Sequence, residues 1–167
     1  MSRRQSAPST ITSRNPIRIS VRAVVLSKGR VLVQKGSEDP SGCYAFIGGG
    51  FEVGDTFASR LEREFEEETN ARVVTCRYLF VVEDRNRANG MLLQGVDHFF
   101  EVMLDREDVR SREGHLSQHW LPVATLQDYD LRPWIVRDVI ARNQQNAVRH
   151  LVVPLDGAQL GTGVGAA

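Results

Sequence analysis

Cysteine is scarce in this chain of 167 residues, which contains two, Cys43 and Cys76. Two cysteines build no disulfide framework, and in apolar, strand-like surroundings each reads as a small buried hydrophobe. A reducing intracellular setting follows, so the expected location is the cytoplasm. Long apolar runs are missing too. None approaches the ~20 residues that a helix needs to cross a bilayer, so no membrane-spanning helix is expected. Charge of one sign is not in excess: 21 basic side chains balance 21 acidic ones. That balance disfavours a polycation that binds nucleic acid through its bulk charge. Internal repeats are absent, and the length suits one ordinary domain. Ser2-Arg3-Arg4-Gln5 carries paired arginines without the apolar stretch that an export signal needs, and reads as a basic tail.

The balanced charge is segregated along the chain. Residues 1–37 hold eight basic side chains and no acid, whereas seven acids fall between Glu52 and Glu68. Segregation of this kind marks a candidate site.

Residues 1–16, rich in Ser, Thr, Arg and Pro, are expected to be a disordered tail, and residues 157–167 a flexible Gly-rich one. A single domain is expected over 17–156. Within it, Ile17, Ile19, Val21, Ala23 and Val25 alternate with polar residues at strand period. Lys28-Gly29 is a turn signal, and Val31-Leu32-Val33 reads as the returning strand of a hairpin. A polar loop, Gly36 to Gly42, precedes a short strand through Tyr44, Phe46 and Ile47, then Gly48-Gly49-Gly50. A helix is predicted over Asp55 to Thr69, with Asp55 or Thr56 as N-cap and Asn70 in a left-handed C′ position. Phe57, Leu61 and Phe65 form its apolar stripe. Strands are predicted over 72–82, 91–104 and 120–122, and a second helix over Pro133 to Asn143 with Pro133 in its first turn. Strands and helices mix without regular βαβ alternation. The expected class is therefore α/β, a mixed sheet flanked by helices.

The acidic helix carries the chemistry. At 100° per residue, with Glu64 at zero, Glu68 lies at about 40° and Glu67 at about −60°. These three carboxylates cluster at the edge of the apolar stripe, while Glu62 and Glu66 point to water. Like charges at i, i+4 destabilise a helix, and partial burial makes them costlier. A divalent cation resolves the conflict, since Mg²⁺ takes oxygen ligands. Arg63 stands i, i+4 to Glu67 and can orient its carboxylate by a charged hydrogen bond.

From Gly49 to Ala71 the chain reads Gly49-Gly50-Phe51-Glu52-Val53-Gly54-Asp55, seven residues, then Arg63-Glu64-Phe65-Glu66-Glu67-Glu68-Thr69-Asn70-Ala71. This resembles the Nudix box, G-x5-E-x7-R-E-U-x-E-E-x-G-U with U apolar. Gly49, Arg63, Glu64, Glu67 and Glu68 match in register, and Phe65 fits the apolar position. Five fixed matches have chance odds on the order of 10⁻⁶ per start position at average composition. Asp55 departs from the family's Glu and is one methylene shorter, Asn70 replaces Gly, and Ala71 is a weak apolar match. The likeness spans about residues 17–145, because the opening hairpin, Trp120-Leu121-Pro122 and Leu131-Arg132-Pro133 also resemble the family's layout.

The resemblance implies a Nudix-type α/β/α sandwich around a mixed β-sheet. It implies hydrolysis of a nucleoside diphosphate linked to another group X: a nucleotide sugar, a dinucleoside polyphosphate or an NTP. Glu64, Glu67 and Glu68 are then the ligands of Mg²⁺, with Mn²⁺ as an alternative and the Gly49 carbonyl as a further oxygen. Arg63, Glu64, Glu67 and Glu68 form the catalytic set, and Glu67 or Glu68 is the candidate base. Glu83, at the end of a long strand, is either a base from outside the helix or a solvated turn acid. Arg22 and Lys35, on the first two strands, are either phosphate or base ligands or ordinary strand surface. Tyr44, Phe46 and Trp120 divide between nucleobase stacking and core packing, and His98, His115 and His119 lack metal spacing. A non-catalytic nucleotide-sugar sensor on the same fold is the alternative function. An isomerase on this fold would need a catalytic Cys, and neither Cys43 nor Cys76 announces itself. Homodimerisation is open through the apolar strands near the N-terminus.

Overall fold

A computed structural model describes residues 17–38, 42–88 and 91–154. The two expected tails lie outside the described residues. β1 (Arg18–Ser27) and β2 (Arg30–Gly36) form the expected hairpin, with Ser27 opposite Arg30. Lys28 (φ 49°) and Gly29 (φ 70°) are both left-handed, as a two-residue turn matching strand twist requires.

β3 (Tyr44–Ala45) and the helix α1 (Phe57–Glu68) follow, then β4 (Val73–Ala88) and β5 (Met91–Leu104). Next in order come β6 (Leu116–Pro122), a 3₁₀ segment (Val123–Asp128), β7 (Leu131–Arg132), α2 (Trp134–Ala141) and β8 (His150–Val152). The strands lie in the order β7-β3-β2-β1-β5-β4-β8, with β6 paired to β2. β1 runs parallel to β5, while β4 and β5 are antiparallel, so the sheet is mixed as expected.

Strand alternation divides the core into two. Val21, Ala23, Val25 and Leu32 pack with Leu61 and Phe65 of α1. Val24, Val31 and Val33 face the other way, onto Phe46, Phe80, Phe99 and the α2 residues Val136 and Ile140. One helix on each face gives the three-layer arrangement.

α1 is shorter than predicted. Thr56 is the N-cap, in a reciprocal capping box: the Ser59 amide donates to Thr56 Oγ1 at 3.1 Å and the Thr56 amide to Ser59 Oγ at 2.9 Å. The left-handed end expected at Asn70 is not observed, because the non-glycine residues with positive φ among those described are Lys28 and Asn143. The last carbonyls of α1 find partners elsewhere: Arg112 donates its amide to the Glu68 carbonyl at 2.8 Å. The Asn70 side chain instead accepts from the Arg110 amide at 2.8 Å and donates to the Asp108 carbonyl at 3.0 Å.

β4 runs six residues past its predicted end, because its far portion pairs with β5 down to Ala88 opposite Met91. β6 starts at Leu116, earlier than predicted, by pairing along the whole of β2. Pro133 caps α2 from outside. Cys43 and Cys76 are only half-buried, less enclosed than the small-hydrophobe reading expects.

Candidate functional site

The glycine run is laid against β1 by its backbone. Val21 donates its amide to the Gly49 carbonyl at 3.0 Å, Ala23 to Ile47 at 2.8 Å, and Phe51 to Ile19 at 2.8 Å. Gly48 adopts φ 147°, and a β-carbon there would collide with the Val21 carbonyl. A β-carbon on Gly49 would strike the Glu64 carboxylate. These glycines bring loop backbone against both the strand and the helix carboxylate.

Glu62 and Glu66 of α1 point to water as the helical wheel anticipates, but Glu67 joins them there instead of the packed edge. Glu62, Glu66 and Glu67 are exposed, Glu68 is half-buried, and Glu64 is 5% exposed. Glu64 is held by an ion pair from Arg60, one turn earlier. The Oε2 atom of Glu68 is buried without a hydrogen-bond partner. Burial first, then the neighbouring charges of Glu64 and Glu113, push the Glu68 carboxyl up to about 7, against a hydrogen bond from Gln34.

Arg63 does not orient Glu67. Its Nη2 donates to Asp55 Oδ1 at 2.7 Å, and its Nη1 lies 3.7 Å from Glu52. The Asp55 side chain, 4% exposed, offers a fixed carboxylate at the mouth of the helix, whereas Glu67 is solvated. Asp55 also accepts from the Glu52 amide at 3.3 Å. The shorter acid in the box therefore braces the loop–helix junction through Arg63.

Arg22 comes to the cluster. Its Nη1 donates to the Gly48 carbonyl at 2.9 Å. Burial pulls its guanidinium below the ordinary value, and the charges of Asp97, Glu64 and Glu68 oppose that shift. Lys35 does not join the carboxylates: its Nζ lies 5.6 Å from the Tyr44 ring centroid, while the adjacent Gln34 meets Glu68. Glu83 is likewise apart, with Oε1 2.9 Å from His150 Nε2 on β8.

Phe46 is core, and Trp120 packs on the α1 core while donating Nε1 to the Glu107 carbonyl at 3.0 Å. Tyr44 is partly buried, edge-on to His119. His98 stacks on Phe57 at 4.5 Å between ring centroids.

Sequence reasoning missed Gln34, Arg60, Asp97 and Glu113. Gln34 had a signal, since it follows Leu32 at strand period on the face that packs against α1. Arg60 had one too, at i, i+4 to Glu64. Asp97 is 5% exposed, with Oδ1 buried and without a partner. Glu113 lies on the 105–115 loop that clasps the end of α1, and no local spacing foretells that contact.

Among the described residues no three His, Cys, Asp or Glu side chains already form a cation cage. The arrangement nevertheless fits a hard divalent cation. Glu64 is a buried carboxylate, and Glu68 one turn on is half-buried with one buried oxygen that lacks a partner. Gly49 leaves room at Glu64, and every donor in the set is oxygen. Glu64, Glu67, Glu68 and the Gly49 carbonyl are the groups able to hold such a cation, once Glu64 turns from Arg60.

Known proteins share this architecture. The chain is similar to the MutT NUDIX hydrolase from Burkholderia pseudomallei, at 24% identity and TM-score 0.57 over 65% of this chain and 85% of that one. It is similar to the MutT protein from Methanosarcina mazei Go1, at 20% identity and TM-score 0.65 over 81% and 99%. The NUDIX domain of Shewanella oneidensis NrtR, solved with ADP ribose, matches at 16% identity and TM-score 0.62 over 80% and 92%. At these identities the likeness is one of fold. No curated protein sequence matches the chain at a significant level. The family model for the NUDIX domain matches residues 16–142, the span that carries the box, the hairpin and α2. The chain belongs to the Nudix family of hydrolases.

Proposed function

We propose that the protein is a Mg²⁺-dependent pyrophosphohydrolase that cleaves a nucleoside diphosphate linked to another moiety by attack of water on phosphorus. The observation that carries this reading is the Glu64–Glu68 pair, one carboxylate buried and the other half-buried with one buried oxygen left without a partner. Arg60 offsets the charge of Glu64 alone, so the partly buried pair still favours a further positive charge at Glu68.

Glu64, Glu67 and Glu68 are the protein's ligands, with the Gly49 carbonyl beside them. The cation, Mg²⁺ or in its place Mn²⁺, supplies charge neutralisation of the diphosphate and a more acidic water. Phosphoryl transfer otherwise needs positioning more than covalent help. Arg22, fixed to the Gly48 carbonyl, offers positive charge to a phosphate oxygen. Glu67 or Glu68 accepts the proton of the attacking water. Glu113 stands beside Glu68 and adds a further carboxylate to this end of the site. Arg63 positions the loop through Asp55.

The substrate classes are a nucleotide sugar, a dinucleoside polyphosphate or an NTP, each yielding a phosphate monoester. The protein is proposed to act in the cytoplasm, without nucleic acid. No helix among the described residues is long and apolar enough to cross a membrane. A homodimer is proposed through the β1 end, where Ile17 and Ile19 are 57% and 43% exposed. A panel of these substrates with Mg²⁺, read by phosphomonoester release, tests the function. Tight binding of a nucleotide sugar without turnover under any divalent cation would replace the hydrolase by a sensor.

A further inference from the structure

Arg60 stands at one of the seven variable positions between Asp55 and Arg63, yet it is the ion-pair partner of the most buried carboxylate of α1. Its side chain is 12% exposed and that of Glu64 is 6% exposed. The guanidinium straddles two acids: Nη2 bonds Glu64 Oε1, and Nη1 lies 3.5 Å from Glu52 Oε2. Glu52 is solvated, its side chain 64% exposed. The remaining nitrogen, Nε, is buried without a partner. The clamp on Glu64 thus leaves one guanidinium nitrogen unpaired, and a second acceptor is already in reach.

A positive charge on Glu64 relieves its repulsion with Glu68 when no metal is bound. The same charge stands against a divalent cation on Glu64, because one carboxylate oxygen is taken and a cation nearby repels another. We propose that Arg60 is a resident counter-ion of the metal site, which shifts from Glu64 to Glu52 when a divalent cation binds. Arg60 stabilises the metal-free helix and lowers metal affinity, and Glu52 makes its release easier. This inference rests on the proposed role of Glu64 as a cation ligand.

The test is calorimetric titration of Mn²⁺ into the metal-free full-length chain, without substrate, for wild type, Arg60→Gln, Glu52→Gln and the double variant. Arg60→Gln is expected to bind Mn²⁺ about tenfold more tightly, the scale of one charged hydrogen bond. Its metal-free melting temperature falls, so saturating Mn²⁺ raises that temperature by more than in wild type. Glu52→Gln, at a solvated position, binds Mn²⁺ several-fold more weakly on the same scale. That loss disappears in the Arg60→Gln background, because Glu52 acts through Arg60. Arg60→Gln binding no tighter than wild type overturns the proposal. So does an equal loss from Glu52→Gln in both backgrounds, which is bulk charge alone. If Arg60→Gln does not fold, an unchanged affinity in Glu52→Gln overturns it instead. Absence of Mn²⁺ binding by wild type overturns the metal reading itself, a distinct outcome.

Discussion

The carboxylate of Glu64 occupies the space that a β-carbon on Gly49 would fill. Neither backbone can retreat, so only the carboxylate can give way. Gly49 is pinned to β1 through Val21, and Glu64 is carried by a helix anchored at Leu61 and Phe65, both fully buried. Gly49→Ala is therefore expected to displace the carboxylate rather than the backbone. Misplacement by about 1 Å at a reacting centre costs on the order of 100-fold in rate. Hydrolysis should fall by about that factor while circular dichroism stays that of the wild type. Unchanged turnover would show that Glu64 needs no fixed position.

Glu68 makes the metal-free protein sensitive to pH. Its carboxyl, ordinarily near 4.5, is raised to about 7 in the folded chain, first by burial and then by Glu64 and Glu113. A raised pKa means that the folded state holds the proton more tightly than the unfolded state. The stabilising contribution is complete below about 4.5 and is lost as pH rises through about 7. Thermal melts of metal-free protein should show falling stability across that window. Glu68→Gln should flatten the slope, and a saturating divalent cation should restore stability at the upper end. An equal slope in Glu68→Gln would assign the effect to other groups.

Asp55 and Arg63 brace the entrance of α1 through a 2.7 Å charged hydrogen bond. Asp55→Ala removes an acceptor whose side chain is almost fully enclosed. A loss of about 1–3 kcal/mol is expected from a buried group left without its partner. Denaturant unfolding measures it. Asp55→Asn should keep part of that stability, because one acceptor oxygen remains.

Much of the fold was legible because its signals are local. The Lys28-Gly29 turn, the alternation of β1 and the Phe57, Leu61, Phe65 stripe each lie within a dozen residues. The box register pointed to Glu64, Glu68 and Gly49 for the same reason, and the structure sets Gly49 against Glu64 while Glu67 points to water. What stayed hidden depends on distant pairing. Asn70 was expected to end α1 in a left-handed turn, but the 105–115 loop supplies its end with partners, including Arg112. That loop also carries Glu113 to Glu68. Lys35 and Gln34 are sequence neighbours, and only the packing of β2 against α1 decides which one meets Glu68. Arg63 had an available acid one turn ahead and instead chose Asp55 behind it, because burial fixes Asp55 and water competes for Glu67.

The proposed reaction is attack of water on phosphorus, with protein carboxylates holding a divalent cation. The most direct measurement is turnover of ADP-ribose, a dinucleoside polyphosphate and an NTP in ¹⁸O-labelled water with Mg²⁺, read by mass spectrometry of the phosphate products. Wild-type protein is expected to release a phosphate monoester carrying one ¹⁸O from at least one of them. Chelation should abolish the reaction, and Glu67→Gln and Glu68→Gln should lower it by about 10²–10⁴ each with the fold intact. Full activity in both variants would remove Glu67 and Glu68 from the reaction, and no labelled product from any of the three under Mg²⁺ or Mn²⁺ would exclude this hydrolysis.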